Sequence, residues 1–313
     1  MHLFLSTLVA CSTATDTGPA PDTGDSGDTA EEIVPVWKQY PIQTNAALQG
    51  IYASGSGVYV VGKKYAWSGN GGEFTYMDID VDDADITDLW GQGKDEDAVL
   101  AASTSLGTVA QYTGTGGWTT GTMGDTSELK GVGGDSPTNL YAVGWGRAWS
   151  YDGAAWTYED IPDANAKLND VYGVGAKAFA IGEEGYALVR SDGTWKESAT
   201  GVEVALHGIS GSGVNDVWAV GEGGTVLHFD GTTWTTEEDV PTTATLWAVF
   251  VPEEGVVYAV GSGGTALRRK GGAWESLPTG IVNGNALYAV HGVSASNVWA
   301  SGATGMVIQY KDE

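Results

Sequence analysis

Leu206 to Trp234, LHGISGSGVNDVWAVGEGGTVLHFDGTTW, is the clearest copy of a unit that recurs along the whole chain. It holds an L-x-G-V-like strand, an apolar V-W-A-V-G strand, a G-T-x-L-like strand and an aromatic beside a D-G turn. Such a period constrains the fold strongly, because one copy cannot bury its own faces and must stack on the next. The first-strand anchors Leu48, Ile86, Leu129, Leu168, Leu206, Leu246 and Leu287 lie at steps of 38 to 43 residues. The residues closing the second strand, Gly62, Ser103, Gly144, Gly182, Gly221, Gly261 and Gly302, repeat at 38 to 41. Two independent landmarks therefore both count seven.

A third landmark indicates closure. The outer-strand aromatics Phe74, Trp118, Trp156, Trp195, Trp234 and Trp274 each follow a first-strand anchor, whereas Trp37 precedes the first one by 11 residues. Nothing equivalent follows Tyr310. The strand around Trp37 is therefore expected to supply the missing fourth strand of the last blade, closing a ring without free edges. Runs such as VWAV and VYAV are apolar without alternation, as strands covered on both faces are. Helical periodicity is absent, and 48 glycines punctuate the short runs. The sequence predicts an all-β chain: a seven-bladed β-propeller of four-stranded antiparallel blades over residues 33–313.

The N-terminal residues read differently. The run Leu3–Ala10 is too short to span a bilayer, which takes about 20 apolar residues. Its ending, Leu8-Val9-Ala10-Cys11, resembles the lipobox of bacterial lipoprotein signal peptides, so residues 1–11 are expected to be a signal with Cys11 as the lipidated residue. No Lys or Arg precedes the run, which leaves room for a start codon upstream of Met1. Residues 12–32, rich in Asp, Thr, Gly, Ser and Pro, cannot bury enough surface to fold and read as an extended acidic linker. Lipobox and linker together are similar to those of deltaproteobacterial surface lipoproteins, which implies export and an outer-membrane anchor through the lipid alone. Cys11 is the only cysteine, which excludes an internal disulfide or a thiol nucleophile in the ring.

The formal charge is −26, from 14 basic and 40 acidic residues. Such a field repels phosphate backbones, so nucleic acid is not expected as a partner. A protein or glycan at the cell envelope is expected instead, with the chain acting as a monomer.

Several patterns could carry chemistry. The turns at Asp152-Gly153, Asp192-Gly193 and Asp230-Gly231 resemble the Asp-box of bacterial neuraminidase-type repeats, where the Asp accepts backbone N–H bonds within the turn. The sialidase family needs an arginine triad; the four arginines here, Arg147, Arg190, Arg268 and Arg269, show no such context. The repeat grammar over residues 34–310 is also similar to the photosystem II assembly factor propeller family, whose arginine-rich patch this acidic chain lacks. The run Asp78, Asp80, Asp82, Asp83 offers oxygen ligands and so a candidate calcium loop, without the glycine and glutamate of a twelve-residue calcium site. The histidines His207 and His291 occupy different places in the repeat.

The loops joining second to third strands vary while the strands repeat, which is what a rigid frame presenting a heterogeneous site would show. They nominate Lys63, Lys64, Trp145, Arg147, Glu183, Glu184 and Glu222 as ligand-binding residues, with Trp145 foremost. No catalytic constellation is visible. The expected function is a surface-tethered, non-catalytic binding or scaffold module; the alternative is a glycan-active hydrolase or lyase using the central pocket.

Overall fold

The computed structural model describes residues 37–312 except Pro41, Ser56, Asp95, Glu96, Asp125 and Thr126. The lipobox with Cys11 and the linker lie outside the described residues. Twenty-eight strands, numbered β1 to β28 along the chain, form seven four-stranded antiparallel sheets. The chain is a seven-bladed β-propeller. Blade three shows the plan: β10 (Leu129–Ser136) is innermost, followed outward by β11 (Asn139–Gly144), β12 (Arg147–Tyr151) and β13 (Trp156–Glu159). Leu129 pairs with Gly144, so the innermost strand starts at the face where the second strand ends and turns into the third. We call this the mouth face.

The apolar second strands are sandwiched as their lack of alternation predicts. In β19 (Asp216–Gly221) every residue after Asp216 is buried, between neighbouring blades. The seventh sheet is built from both chain ends, in the order β1 (Trp37–Gln39), β28 (Val307–Lys311), β27 (Asn297–Gly302) and β26 (Leu287–Ser294). Trp37 pairs with Tyr310 and Gln39 with Ile308, and the Trp37 and Tyr310 rings meet at a tilt of 50° with centres 5.6 Å apart. The chain then runs on with Tyr40 N–H to Val307 O at 2.7 Å and Ile42 N–H to Gly305 O at 2.8 Å. Trp37 thus joins the ring at the face opposite the mouth, and β1 leads the chain toward the mouth.

Polar side chains fasten blade to blade. Most innermost strands carry a bulge just after the anchor, as at Ile86/Asp88 in β6 (Ile86–Gln92) and Leu168/Asp170 in β14 (Leu168–Val174). A bulge leaves backbone N–H groups unpaired, and a buried orphan of this kind costs about 1–3 kcal/mol. Asp88 answers for two: Oδ1 accepts from Leu89 N–H at 2.7 Å, Oδ2 from Val132 N–H of the next blade at 2.9 Å. Asp170 repeats the arrangement with Val171 and, in the next blade, Ile209. Because each aspartate serves its own blade and the next, the strand between them needs none. That strand carries Gly131, where a Cβ would stand 2.7 Å from the Asp170 Cα. Across the closing seam, His291 Nδ1 accepts from Ala53 N–H at 3.2 Å.

Two sequence-derived expectations are refined here. In the acidic run, Ile79, Val81 and Ala84 enter the core while Asp78, Asp80, Asp82 and Asp83 face solvent. Asp83 is engaged by Lys64 at 2.8 Å. Exposed acids alternate with buried apolar residues from Asp78 to Asp82, and among the described residues no group of three or more His, Cys, Asp or Glu is placed to hold a metal ion. The D-G turns are of two kinds. Asp152 and Asp230 each accept two N–H groups of their own turn. Asp192 instead takes a left-handed backbone, φ 53°, in a two-residue hairpin turn with Gly193. The shorter loop leaves no turn amides for its carboxylate to collect.

Candidate binding site at the channel mouth

The seven innermost strands surround a channel of about 870 Å³. Its lining is layered by strand position. The residue after each anchor forms a ring at the mouth: Gln49, Thr87, Lys130, Asn169, His207, Trp247 and Tyr288. No two are alike. Two positions deeper lies an aliphatic collar, Ile51, Leu89, Val132, Val171, Ile209, Val249 and Val290, none more than 7% exposed. The collar is the inner edge of the blade cores.

The mouth ring is divided. On blades five to seven, His207 packs on Trp247 with ring centres 4.4 Å apart, and Trp247 meets Tyr288 edge-on at 6.2 Å. Trp247 Nε1 donates to Ser262 Oγ at 3.0 Å, which fixes the indole in place. Burial lowers the His207 pKa against the pull of Glu183 and Glu222, so this arc is uncharged at neutral pH. On blades three and four the side chains are polar: Lys130 pairs with Glu128 at 2.8 Å, and Asn169 Nδ2 donates to Glu183 Oε1 at 3.1 Å. Thr87 and Asn169 also donate to backbone carbonyls of the next blade, Leu129 and Leu206, both at 2.9 Å.

Beneath the ring, Asp88 and Asp170 also border the channel. Desolvation pushes the Asp88 carboxyl up to about 6, against the two N–H bonds that favour its charged form. Asp170 is likewise raised well above its ordinary value, by desolvation and by repulsion from Asp88. His291, set between Tyr52 and Phe250 at 4.9 and 4.8 Å, is driven down to about 4 by burial and stays neutral.

Of the loop residues nominated by sequence, Lys63, Trp145 and Glu183 line the channel; Lys64, Arg147, Glu184 and Glu222 do not. The three that line it each directly follow the glycine closing a second strand, Gly62, Gly144 and Gly182. In blades one and three the second and third strands are joined by two residues, since Gly62 pairs with Tyr65 and Gly144 with Arg147. These short turns lie against the incoming strand of the following blade, through the bridges Lys63 to Ile86 and Trp145 to Lys167, which hold both residues at the mouth. Blades four to seven make a 3-10 turn instead, which leaves Glu184 exposed at its tip with φ 56°. Gly185 follows because a Cβ there would lie 1.9 Å from the Val202 carbonyl oxygen. Trp145 remains 51% exposed, with Lys167 Nζ 5.2 Å and Lys130 Nζ 6.0 Å from its ring centre.

The mouth ring itself escaped the loop-based reading. Its signal was present: the one position after each anchor where all seven repeats differ.

No protein-family model matches the chain, and no curated protein matches it in sequence. Solved structures share the fold at low identity. YCF48, a photosystem II assembly-factor propeller, solved bound to a D1 peptide, is 12% identical with a TM-score of 0.72, over 90% of this chain and 96% of that one. Virginiamycin B lyase from Staphylococcus aureus is 11% identical, TM-score 0.74, over 88% of this chain and 100% of that one. The WD40 propeller of Doa1 is 11% identical, TM-score 0.71, over 88% and 96%. The shared property is the ring of blades.

Proposed function

We propose that the chain is a non-catalytic recognition module that grips its ligand at the channel mouth. The observation that carries this reading is the ring of seven different side chains at one equivalent strand position. A scaffold that repeats everywhere else and differs there presents a site rather than a core. Exposure supports the same face. Among the described residues, three of the six exposed large apolar side chains, Leu106, Trp145 and Val282, sit on mouth-side loops. Propellers of this shape do engage protein segments, as the peptide-bound YCF48 structure illustrates. The photosystem role does not transfer to so acidic and arginine-poor a chain.

The ionisable groups favour binding over turnover. Asp88 and Asp170 spend both carboxylate oxygens on backbone N–H groups. Arg190, Arg268 and Arg269 are held by Glu159, Glu275 with Asp312, and Glu237, on third strands outside the channel lining. On this reading the lipobox at Cys11 tethers the module to the membrane.

Calorimetric screening of the full chain against peptide and oligosaccharide libraries tests this reading. Saturable binding is expected, weakened by at least about tenfold in Trp247→Ala. Turnover of a bound ligand, or binding indifferent to both Trp145→Ala and Trp247→Ala, overturns it.

A further inference from the structure

The geometry points to a neutral oligosaccharide as the ligand of the mouth, an inference that rests on the mouth being the recognition site. Tryptophan placement is the first argument. Of thirteen tryptophans, ten belong to second, third or outer strands and serve the blades. The three that do not, Trp90, Trp145 and Trp247, all line the channel. Trp90 packs on a blade core below the collar, whereas Trp145 and Trp247 stand at the mouth, where aromatic faces suit a ligand with a flat C–H surface.

The division of the mouth is the second. A pyranose ring offers an apolar face and a rim of hydroxyls that both donate and accept. The arc His207–Trp247–Tyr288 can take the face, while Asn169, Glu183 and the Lys130–Glu128 pair supply planar and charged groups for the rim. Charge is the third. On the polar side Lys130 pairs with Glu128 while Lys63, Asp85 and Glu183 add charges of both signs, the arc is neutral, and the deeper carboxylates are already bonded to backbone. No single-signed field is left at the rim to select a strongly charged peptide. The volume of about 870 Å³ lies within the range of small-ligand pockets, roughly 300–1,000 Å³. It accommodates more than one sugar ring.

The test is calorimetric titration of the full chain with chitotriose, cellotriose and maltotriose, repeated at high salt and with Trp145→Ala, Trp247→Ala and Trp247→Phe. Thermal unfolding of each variant verifies that it is folded. At least one trisaccharide is expected to bind saturably with little salt dependence, to lose at least about tenfold in affinity with Trp247→Ala and to recover most of it with Trp247→Phe. If no trisaccharide binds, the proposal is overturned. Should a peptide library then bind in a Trp247-dependent way, the mouth stands as a recognition site with a protein ligand. Trisaccharide binding that survives both alanine substitutions places the sugar elsewhere and overturns both readings.

Discussion

The carboxylate of Asp88 in the second blade accepts the backbone N–H of Val132 in the third at 2.9 Å, while its other oxygen accepts the N–H of Leu89 at 2.7 Å. One side chain therefore satisfies the bulge of its own strand and that of its neighbour. Asp88→Ala orphans both amides and is expected to destabilise the ring by about 2 kcal/mol or more, read as a lower urea midpoint at unchanged m-value. An unchanged midpoint would show that channel water replaces the carboxylate.

The buried channel groups make opposing contributions to pH dependence. The Asp88 carboxyl rises from its ordinary 3.8 to about 6, so the stability of its protonated form is present below pH 3.8 and is lost as pH rises through 6. His291 falls from 6.5 to about 4, so stability is lost as pH falls through that window. The two slopes oppose between pH 4 and 6. Asp88→Asn is expected to leave a chain that loses stability more steeply on acidification, and His291→Phe one that loses less or gains. Each slope changes by at most about 1.4 kcal/mol per pH unit. Equilibrium urea unfolding from pH 4 to 7 reads this directly, and slopes that shift in the same direction contradict it.

Ring closure depends on Trp37, which is buried against Tyr310. Trp37→Ala is expected to cost about 3–5 kcal/mol, comparable to other large core truncations. A loss below about 1 kcal/mol would mean that the ring holds without its closing strand.

Glycine requirements differ sharply between loops. Gly175, φ 58°, has open space where a Cβ would stand, so Gly175→Ala should cost only the left-handed backbone penalty, about 1 kcal/mol. Gly185, φ 68°, would drive its Cβ into the Val202 carbonyl. Gly185→Ala should cost at least about twice as much, measured by thermal unfolding.

Trp145 is half exposed, so Trp145→Ala is expected to change stability by no more than about 0.5 kcal/mol. A larger loss would mark it as a packing residue and remove it from the binding face.

How much was legible in the chain follows from where each signal resides. The anchors from Leu48 to Leu287 and the residues closing the second strands repeat within single blades, so counting them was enough for the number and order of the blades, and the place of Trp37 ahead of the first anchor was enough for closure. The candidate site was only partly legible. Variable loops pointed to the mouth face and to Lys63, Trp145 and Glu183, which line the channel, but equally to Lys64, Arg147, Glu184 and Glu222, which lie off it. Place within the loop separates Lys63 and Glu183, at the channel, from Lys64 and Glu184 beside them, which lie off it.

The sequence by itself determined the architecture, because a β-propeller is a local pattern written seven times and any one copy shows its burial. Only the tertiary structure decided which residues meet. Gln49, Thr87, Lys130, Asn169, His207, Trp247 and Tyr288 stand 38 to 43 residues apart and share a rim because the ring closes on itself. The same closure sets Asp88 against the next blade, because a carboxylate finds its second amide only when the blades are stacked.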